Sequence, residues 1–218
     1  MLVHERMSKP VLTITPDVPV QDALFRMRED NVRRYPVIDS KNKLVGIVTD
    51  TDILNASPSD ASTLSIWEVN YLLSKITVDR VMTKKVITVQ EDTTIEEAAH
   101  IMSVKKVGAL PVMRGDKLVG LMTETDIFNI FLEMLGARRA GVRVTVEVKD
   151  GRGKLHDITG AIKKIGGDIY GMGGIQGSSV GMIALTLKVA NVDLETVRAA
   201  LAPEVDAILD IRTEKGTI

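Results

Sequence analysis

An internal repeat is the feature of this sequence that most constrains its fold. The segment MSKPVLTI at residues 7–14 returns as MTKKVITV at residues 82–89, so that position 7 maps to position 82 in a shift of 75 positions. After a one-residue deletion, GIVTDTDI at residues 46–53 returns as GLMTETDI at residues 120–127. Matches that keep one register over so long a stretch indicate duplication of a structural unit. The first two thirds of the chain should therefore fold as two similar copies.

Each copy predicts the order strand, helix, strand, strand, helix. The first helix of each copy has apolar residues at the spacing of one helix face, which are Val20, Ala23, Leu24 and Met27 in copy one and Ile95, Ala98, Ala99 and Met102 in copy two. Strands are predicted at residues 11–14, 35–39 and 44–49 and again at 86–89, 110–114 and 118–123. The second helices open at Asp50 and Glu124. A unit this small needs a partner for its apolar face, which the tandem copy supplies.

The remaining segments complete an α/β (α+β) organisation. Residues 61–78 are predicted to be a linker with a helix at 65–73, where Trp67, Tyr71 and Leu72 would pack on one face. From residue 141 the pattern predicts strand, helix, strand, strand, helix, strand, a ferredoxin-like βαββαβ arrangement. The resulting domains are 1–60, 61–78 as the inter-repeat segment, 79–136 and 141–218, with a hinge near 136–141. The glycines at 171, 173, 174 and 177 are expected to serve turns.

Composition excludes several classes of function. Lys and Arg number 28 against 29 Asp and Glu, so the chain lacks the basic excess of a nucleic-acid-binding protein. Cysteine is absent and only three histidines occur, which removes disulfides and cysteine nucleophiles and suggests no metal site. No targeting segment is visible, and the uncharged stretch 169–187 contains five glycines, so it predicts strand and turn rather than a membrane span. We expect a cytoplasmic protein with no nucleic-acid or membrane partner.

The repeated Thr-x-x-Asp carries the chemistry. In each copy the motif lies at the junction between a predicted strand and a predicted helix, with Thr49 and Asp52 in copy one and Thr123 and Asp126 in copy two. A helix start attracts phosphate, a threonine hydroxyl can donate to a phosphate oxygen, and an aspartate can accept from both ribose hydroxyls. The same spacing is also a capping box, and duplicated domains duplicate their caps. The residues alone leave ligand binding and capping open. Gly46 and Gly120 would let a ligand or backbone approach closely.

Residues 1–135 resemble the cystathionine β-synthase (CBS) domain, tandem copies of which form a Bateman module. The resemblance rests on the repeated opening segment, on Pro-Val at 36–37 and 111–112, and on the two endings at 46–53 and 120–127. It implies adenosyl ligands such as AMP, ADP, ATP or S-adenosylmethionine, bound in the cleft between paired domains. Thr49, Asp52, Thr123 and Asp126 would contact phosphate and ribose, and no other cofactor is implied.

The resemblance also implies an adenine pocket around the first strand and the Pro-Val strand of each copy. By position its residues are Thr13, Ile14, Tyr35, Pro36, Val37, Thr88, Val89, Leu110, Pro111 and Val112. Phosphates need cations, and the candidates are Arg33, Arg34, Lys105 and Lys106, with solvated surface charge as the alternative. Arg33 and Arg34 correspond to Gly108 and Ala109 in copy two, so the two clefts would differ if the arginines meet phosphate.

Residues 142–213 resemble an ACT domain, a small regulatory fold that often binds amino acids at dimer interfaces. The resemblance rests on a loop before the first helix and a Gly-x-Asn-Ile-like segment after it, and the effector candidates are Asp150, Arg152, Gly153, Asp168 and Ile169. Arg152 replaces the proline of the family pattern, and Asp168 replaces its asparagine. A carboxylate at 168 would repel the carboxylate of an amino acid while attracting its ammonium group. Dimerisation is therefore an equal expectation for this domain.

The sequence predicts a non-enzymatic sensor that binds an adenosine nucleotide or S-adenosylmethionine, acts as a homodimer and regulates an unidentified protein. The alternatives are a dimerising scaffold, or an amino-acid-responsive regulator whose nucleotide clefts are empty. An enzyme is disfavoured because the chain has no cysteine nucleophile and lacks the roughly 250 residues of a catalytic barrel, which inosine monophosphate dehydrogenases with CBS modules carry.

Overall fold

The duplicated segments fold into two small sheets that repeat each other's order. The computed structural model describes residues 1–56 and 75–216, which fall into two units, Met1–Ile127 and Phe128–Ile218, called here the N-terminal and C-terminal units. The predicted helix at 65–73, with Trp67, Tyr71 and Leu72, lies outside the described residues. The division between the units falls before the predicted hinge at 136–141.

The N-terminal unit contains both copies of the repeat. Its helices are α1 (Val3–Arg6), α2 (Val20–Glu29), α3 (Asp50–Asn55), α4 (Val78–Val81), α5 (Ile95–Lys105) and α6 (Glu124–Met134), which continues into the C-terminal unit. Its strands are β1 (Arg34–Ile38), β2 (Leu44–Thr49), β3 (Val89–Gln90), β4 (Ala109–Arg114) and β5 (Lys117–Thr123). β1 pairs with β2 and β4 pairs with β5, both antiparallel, and β3 joins β4 in parallel.

The predicted helix faces are the buried faces. Val20, Ala23 and Met27 of α2 are at most 2% exposed, and Ile95, Ala98 and Met102 of α5 are at most 6% exposed. The hairpins turn where the sequence predicts, with left-handed Asn42 at φ 58° and Gly115 at φ 59°. Local periodicity and turn chemistry therefore suffice to locate these elements.

The first strand of each copy is shorter than the sequence predicts. Ile14 makes a single parallel bridge to Val37, and β3 has only two residues. In copy one, Pro10, Val11 and Leu12 line a cavity instead of pairing with a second strand.

Each copy places its opening segment in the other copy. Ser8 pairs with Leu121 through two backbone hydrogen bonds of 2.9 and 3.2 Å, and Thr83 pairs with Ile47 through two of 2.9 and 3.0 Å. α1 follows the same rule, because the Val3 N–H donates to the Thr93 carbonyl at 2.9 Å. The two copies are thus tied together by a reciprocal exchange of their first residues.

A methionine from the exchanged segment occupies the space beside each repeated glycine. A Cβ on Gly120 would lie 2.2 Å from the Met7 sulfur, and a Cβ on Gly46 would lie 2.4 Å from the Met82 sulfur. The expectation that these glycines let a ligand or backbone approach is wrong, since the neighbour is a side chain of the other copy. The glycines are required because the methionine packs where a Cβ would stand.

We expect Gly120→Ala to destabilise the N-terminal unit by about 1–3 kcal/mol, because the added methyl overpacks the Met7 contact. Urea unfolding monitored by circular dichroism measures this cost. In a Met7→Ala background the same substitution should cost less, since its neighbour is gone. Equal costs in both backgrounds would contradict the assignment.

Gly160 provides the control of opposite sign. It lies in a helix of the C-terminal unit (Lys154–Lys164), where no atom lies within 4 Å of an added Cβ. Gly160→Ala should therefore stabilise the helix by about 1 kcal/mol.

The C-terminal unit is a four-stranded antiparallel sheet with two helices. Its elements are β6 (Gly141–Lys149), α7 (Lys154–Lys164), β7 (Asp168–Gln176), β8 (Met182–Ala190), α8 (Leu194–Leu201) and β9 (Ala207–Glu214). The strands lie in the order β7-β8-β6-β9, which is the split βαβ arrangement that the sequence predicts. Alternate residues of β6 and β8 pack against α7 and α8, and their core includes Val144, Ile158, Leu187 and Leu201, all fully buried.

The glycines of β7 serve close packing inside a strand. Gly171, Gly173 and Gly174 were expected in turns, but they lie within β7, and only Gly177 belongs to the turn that follows. A Cβ on Gly171 would lie 2.4 Å from the Leu135 carbonyl carbon and 2.6 Å from the Gly136 nitrogen. The segment after α6 therefore packs directly on the β7 backbone, which only a residue without a side chain permits.

The same segment helps to bury a charge on the sheet. Lys188 is 1% exposed, and its Nζ donates to Glu214 Oε2 at 2.6 Å. Its Cβ and Cγ lie 3.2 Å from the position of a Cβ on Gly136. The ion pair satisfies an ammonium that would otherwise be buried without a partner.

Candidate functional site

One cavity of the N-terminal unit brings together residues from both copies. It has a volume of about 740 Å³, within the range of small-molecule sites. Thr123 and Asp126 line it from copy two, and Arg33 and Arg34 line it from copy one. We call it the N-terminal cavity. Four of the predicted site residues thus meet at one place although they come from separate repeats.

Asp126 combines a structural contact with an available acceptor. Its Oδ2 accepts the Thr123 N–H at 2.8 Å and the Thr123 hydroxyl at 2.7 Å, and its own N–H donates to Thr123 Oγ1 at 3.3 Å. This is the capping box at the start of α6. Within residues 1–56 and 75–216, no hydrogen bond engages Oδ1 of Asp126. Capping and ligand binding are therefore compatible, because they use different oxygens.

Asp52 forms the same cap at α3. Its Oδ2 accepts from the Thr49 N–H at 2.9 Å and from the Thr49 hydroxyl at 2.7 Å. Thr49 and Asp52 are half-buried, and neither lines the N-terminal cavity. Both copies of the Thr-x-x-Asp motif therefore cap a helix, but only the second copy lines this cavity.

The candidate cations divide between the cavity and the surface. Arg33 and Arg34 line the cavity, and so does Arg28 at the end of α2, which the sequence did not single out. Lys105 and Lys106 are exposed at the end of α5 and do not line it. Arg28 had no motif to reveal it, because it lies on α2, a helix that packs on α3.

Most of the predicted adenine-pocket side chains lie in the core or on the surface. Ile14, Tyr35, Pro36, Val37, Val89, Leu110, Pro111 and Val112 are buried, Thr13 is half-buried and Thr88 is exposed, and none of them lines the N-terminal cavity. The reason is that the β1 and β4 side chains fill the interior beneath the helices. Tyr35 illustrates this, since its hydroxyl donates to Asp30 at 2.5 Å and burial raises the pKa of Tyr35.

The apolar wall of the cavity comes from neighbouring positions. Pro10, Val11 and Leu12 line it at the start of the strand predicted at residues 11–14, together with Leu24 and Leu121. Leu12 is 44% exposed, so it is available to a ligand. The sequence pointed to this opening segment, but it predicted the pocket at Thr13 and Ile14, whereas the residues that line the cavity are Pro10, Val11 and Leu12.

The C-terminal unit has a cavity of its own. It has a volume of about 620 Å³ and is lined mainly by apolar residues and glycines of β7, β8 and the start of α7. Asp150 is the one charged residue among those that line it. Arg152, Gly153, Asp168 and Ile169 do not line it: Gly153 is the left-handed N-cap of α7, and Ile169 packs against the core. Of the five effector candidates, this cavity therefore contains only Asp150.

Two features are absent from the described ranges 1–56 and 75–216. No group of three or more His, Asp or Glu side chains there is placed to hold a metal ion. No helix there has both the length and the apolar character needed to cross a bilayer.

The CBS-domain family model matches residues 3–59 and 78–133, which are the two copies of the repeat. The chain belongs to the CBS-domain family. The tandem CBS domains implied by the repeat are thereby confirmed, as is a mixed α/β fold with a CBS pair. The exchanged segments and the N-terminal cavity are features of this pair.

Curated relatives place the CBS pair in different protein contexts. A CBS domain-containing protein of Dictyostelium discoideum is 30% identical over 62% of this chain and 94% of its own length. The chain spans only 48% and 23% of the next two relatives. An inosine-5'-monophosphate dehydrogenase of Aquifex aeolicus is 30% identical and is matched over 38% of its length. CBS pairs therefore occur both in small proteins and within enzymes.

Solved structures of similar CBS pairs contain adenosyl ligands. The CBS pair of protein MJ0100, in complex with 5'-methylthioadenosine and S-adenosyl-L-methionine, is 30% identical with a TM-score of 0.51, and the match covers 60% of this chain and 95% of that one. CBSX2 in complex with AMP is 30% identical with a TM-score of 0.52, over 61% and 97%. A Vibrio cholerae protein assigned to acetoin utilization (AcuB) is 29% identical with a TM-score of 0.52, over 62% and 93%.

Both copies of the cap are expected to stabilise the protein without any ligand. Thr49→Ala and Thr123→Ala should each cost about 1 kcal/mol of unfolding free energy, because each removes the N-cap hydroxyl. Thr125→Ala is the matched control in the first turn of α6, since Thr125 is exposed and its hydroxyl has no hydrogen bond within the described part of the chain. A cost at Thr125 equal to that at Thr123 would contradict the capping assignment.

Proposed function

We propose that this protein is a non-enzymatic sensor that binds an adenosine nucleotide or S-adenosylmethionine in the N-terminal cavity. The observation that carries the proposal is the position of Asp126, which lines the cavity with its Oδ2 held by Thr123 and with no hydrogen bond to Oδ1 from the described residues. A carboxylate oxygen has two lone pairs, so Oδ1 can accept from both hydroxyls of a ribose.

The rest of the cavity suits the remaining parts of such a ligand. The apolar wall of Pro10, Val11, Leu12 and Leu121 offers a surface for the base, and Arg33 and Arg34 offer donors for phosphate. The similar CBS pairs crystallised with AMP, or with S-adenosyl-L-methionine and 5'-methylthioadenosine, support this class of ligand. Because both copies line the cavity, a ligand there would favour one arrangement of the copies over others.

Three finer parts of the proposal have separate support. The Thr49–Asp52 motif is proposed as a second nucleotide site because it repeats the geometry of Thr123 and Asp126. The C-terminal unit is proposed as an ACT domain because of its split βαβ sheet, with Asp150 at its cavity as the effector contact. A role in acetoin metabolism is proposed from the similarity to AcuB.

A homodimer is proposed through the free edge of β7. β7 is the outer strand of its sheet, and its residues from 169 to 176 carry no charge. The opposite edge strand, β9, carries Asp210, Arg212 and Glu214, and charges of this kind discourage edge pairing. Two copies of β7 can meet without opposing like charges, so a second copy of this chain is the partner that suits the edge.

Thermal shift with AMP, ADP, ATP and S-adenosylmethionine tests the sensor. We expect the melting temperature of the wild type to rise with ligand concentration, because binding to the folded state adds RT ln(1 + [L]/Kd). Asp126→Asn should lose most of the rise in melting temperature that is due to binding in the N-terminal cavity. Asp52→Asn should lose only the part of the rise that is due to binding at the second proposed site. Asp116→Asn, at the exposed turn between β4 and β5, is the control.

The outcomes separate the alternatives. No shift with any of the four ligands would refute the sensor and leave a scaffold. Equal shifts in all four proteins would refute the site assignment. Turnover of a nucleotide that Asp52→Ala or Asp126→Ala abolishes would establish an enzyme instead.

Light scattering after size exclusion tests the dimer. Ile175→Lys should shift the protein toward monomer, because Ile175 is 73% exposed on β7 and two copies would bring two lysines together. Leu209→Lys is the matched control, since Leu209 is 54% exposed on β9. Loss of the dimer in the Leu209 variant, or its persistence in the Ile175 variant, would exclude the β7 edge.

A further inference from the structure

Three arginines face the N-terminal cavity without a carboxylate partner. Within residues 1–56 and 75–216, neither Arg28, Arg33 nor Arg34 has an acidic oxygen within 4.0 Å. Other arginines of the chain are paired: Arg114 contacts Glu91 at 2.6 Å, and Arg143 contacts Asp210 at 2.9 Å. The guanidinium groups at the cavity are therefore available to an anion.

This set of cations is not a property of the repeated fold. The shift of 75 positions places Ser103, Gly108 and Ala109 where copy one has Arg28, Arg33 and Arg34. Copy two keeps the buried helix face and the Pro-Val strand but none of the three charges. Since copy two adopts the repeated fold without these three arginines, the fold does not require them, whereas an anionic ligand in the N-terminal cavity would.

We propose that Arg28, Arg33 and Arg34 are specificity-determining residues that make the N-terminal cavity select nucleoside di- and triphosphates over monophosphates and over S-adenosylmethionine. The inference rests on the proposed function. A chain of two or three phosphates presents more oxygens and more negative charge than one phosphate does, so it can engage all three guanidinium groups more fully. S-Adenosylmethionine carries a cationic sulfonium at the corresponding position, and the arginines repel it.

Glu124 also lines the cavity, and its negative charge should weaken the binding of a phosphate that the arginines favour. From the position of a Cβ on Gly108, the Arg34 guanidinium lies 2.9 Å away and Glu124 Oε2 lies 3.0 Å away. Glu124 and Asp50 also line the cavity, and Asp50 accepts the N–H and hydroxyl of Thr51. Glu124 therefore opposes a phosphate beside Arg34, and removing its charge should strengthen binding.

Titration calorimetry with ATP, ADP, AMP and S-adenosylmethionine tests the proposal on the full chain. For the wild type we expect ATP and ADP to bind about tenfold or more tighter than AMP, since each additional charge-assisted contact adds to the affinity. Arg34→Gln should weaken ATP by about tenfold or more and AMP by less. Glu124→Gln should tighten ATP, and the difference between ATP and AMP should shrink at higher ionic strength.

The controls keep the outcomes distinct. Lys105→Gln removes one positive charge outside the cavity, and it should leave all four affinities unchanged. Melting curves without ligand show that each variant is folded. If no ligand binds the wild type, the proposed function fails. If the four ligands bind with equal affinity, or if Arg28→Gln, Arg33→Gln and Arg34→Gln leave ATP binding unchanged, the selectivity inference fails while the sensor stands.

Discussion

The reciprocal exchange of opening segments is the constraint on which the N-terminal unit depends. Ser8 is hydrogen-bonded to Leu121 of the other copy, and Met7 packs on Gly120, with Thr83, Ile47, Met82 and Gly46 repeating the arrangement. The chain then runs from Ser8 past Pro10 and Leu12 along the cavity before it reaches Ile14 in its own sheet. One wall of the cavity is therefore formed by a segment that is anchored in one copy and crosses to the other.

The Thr-x-x-Asp motif shows how a structural device can serve a binding site. Oδ2 of Asp126 is fixed by two hydrogen bonds from Thr123, which hold the carboxylate at the cavity wall. Asp52 has the same cap but does not line this cavity. A preorganised side chain loses little conformational entropy when it meets a ligand. The cap and the proposed ribose contact are thus parts of one arrangement rather than rival explanations.

Glycine is the residue type whose role the sequence predicted least well. Gly120 looked suited to a ligand and Gly171 to a turn, yet each accommodates a neighbour that is distant in sequence. Gly120 makes room for Met7, and Gly171 makes room for the backbone after α6. A glycine in the sequence indicates that another group packs closely on the backbone there, but it does not identify that group.

The sequence by itself determined the duplication, the order of the elements and the buried helix faces, because periodicity and turn chemistry are local properties. It also located Thr123, Asp126, Arg33 and Arg34. Only the tertiary structure decided that these four meet in one cavity, that Arg28 joins them and that Tyr35 and Val37 lie in the core. Membership of a cavity depends on contacts between residues far apart in the chain, and a repeat specifies each copy without specifying how the two copies pack together.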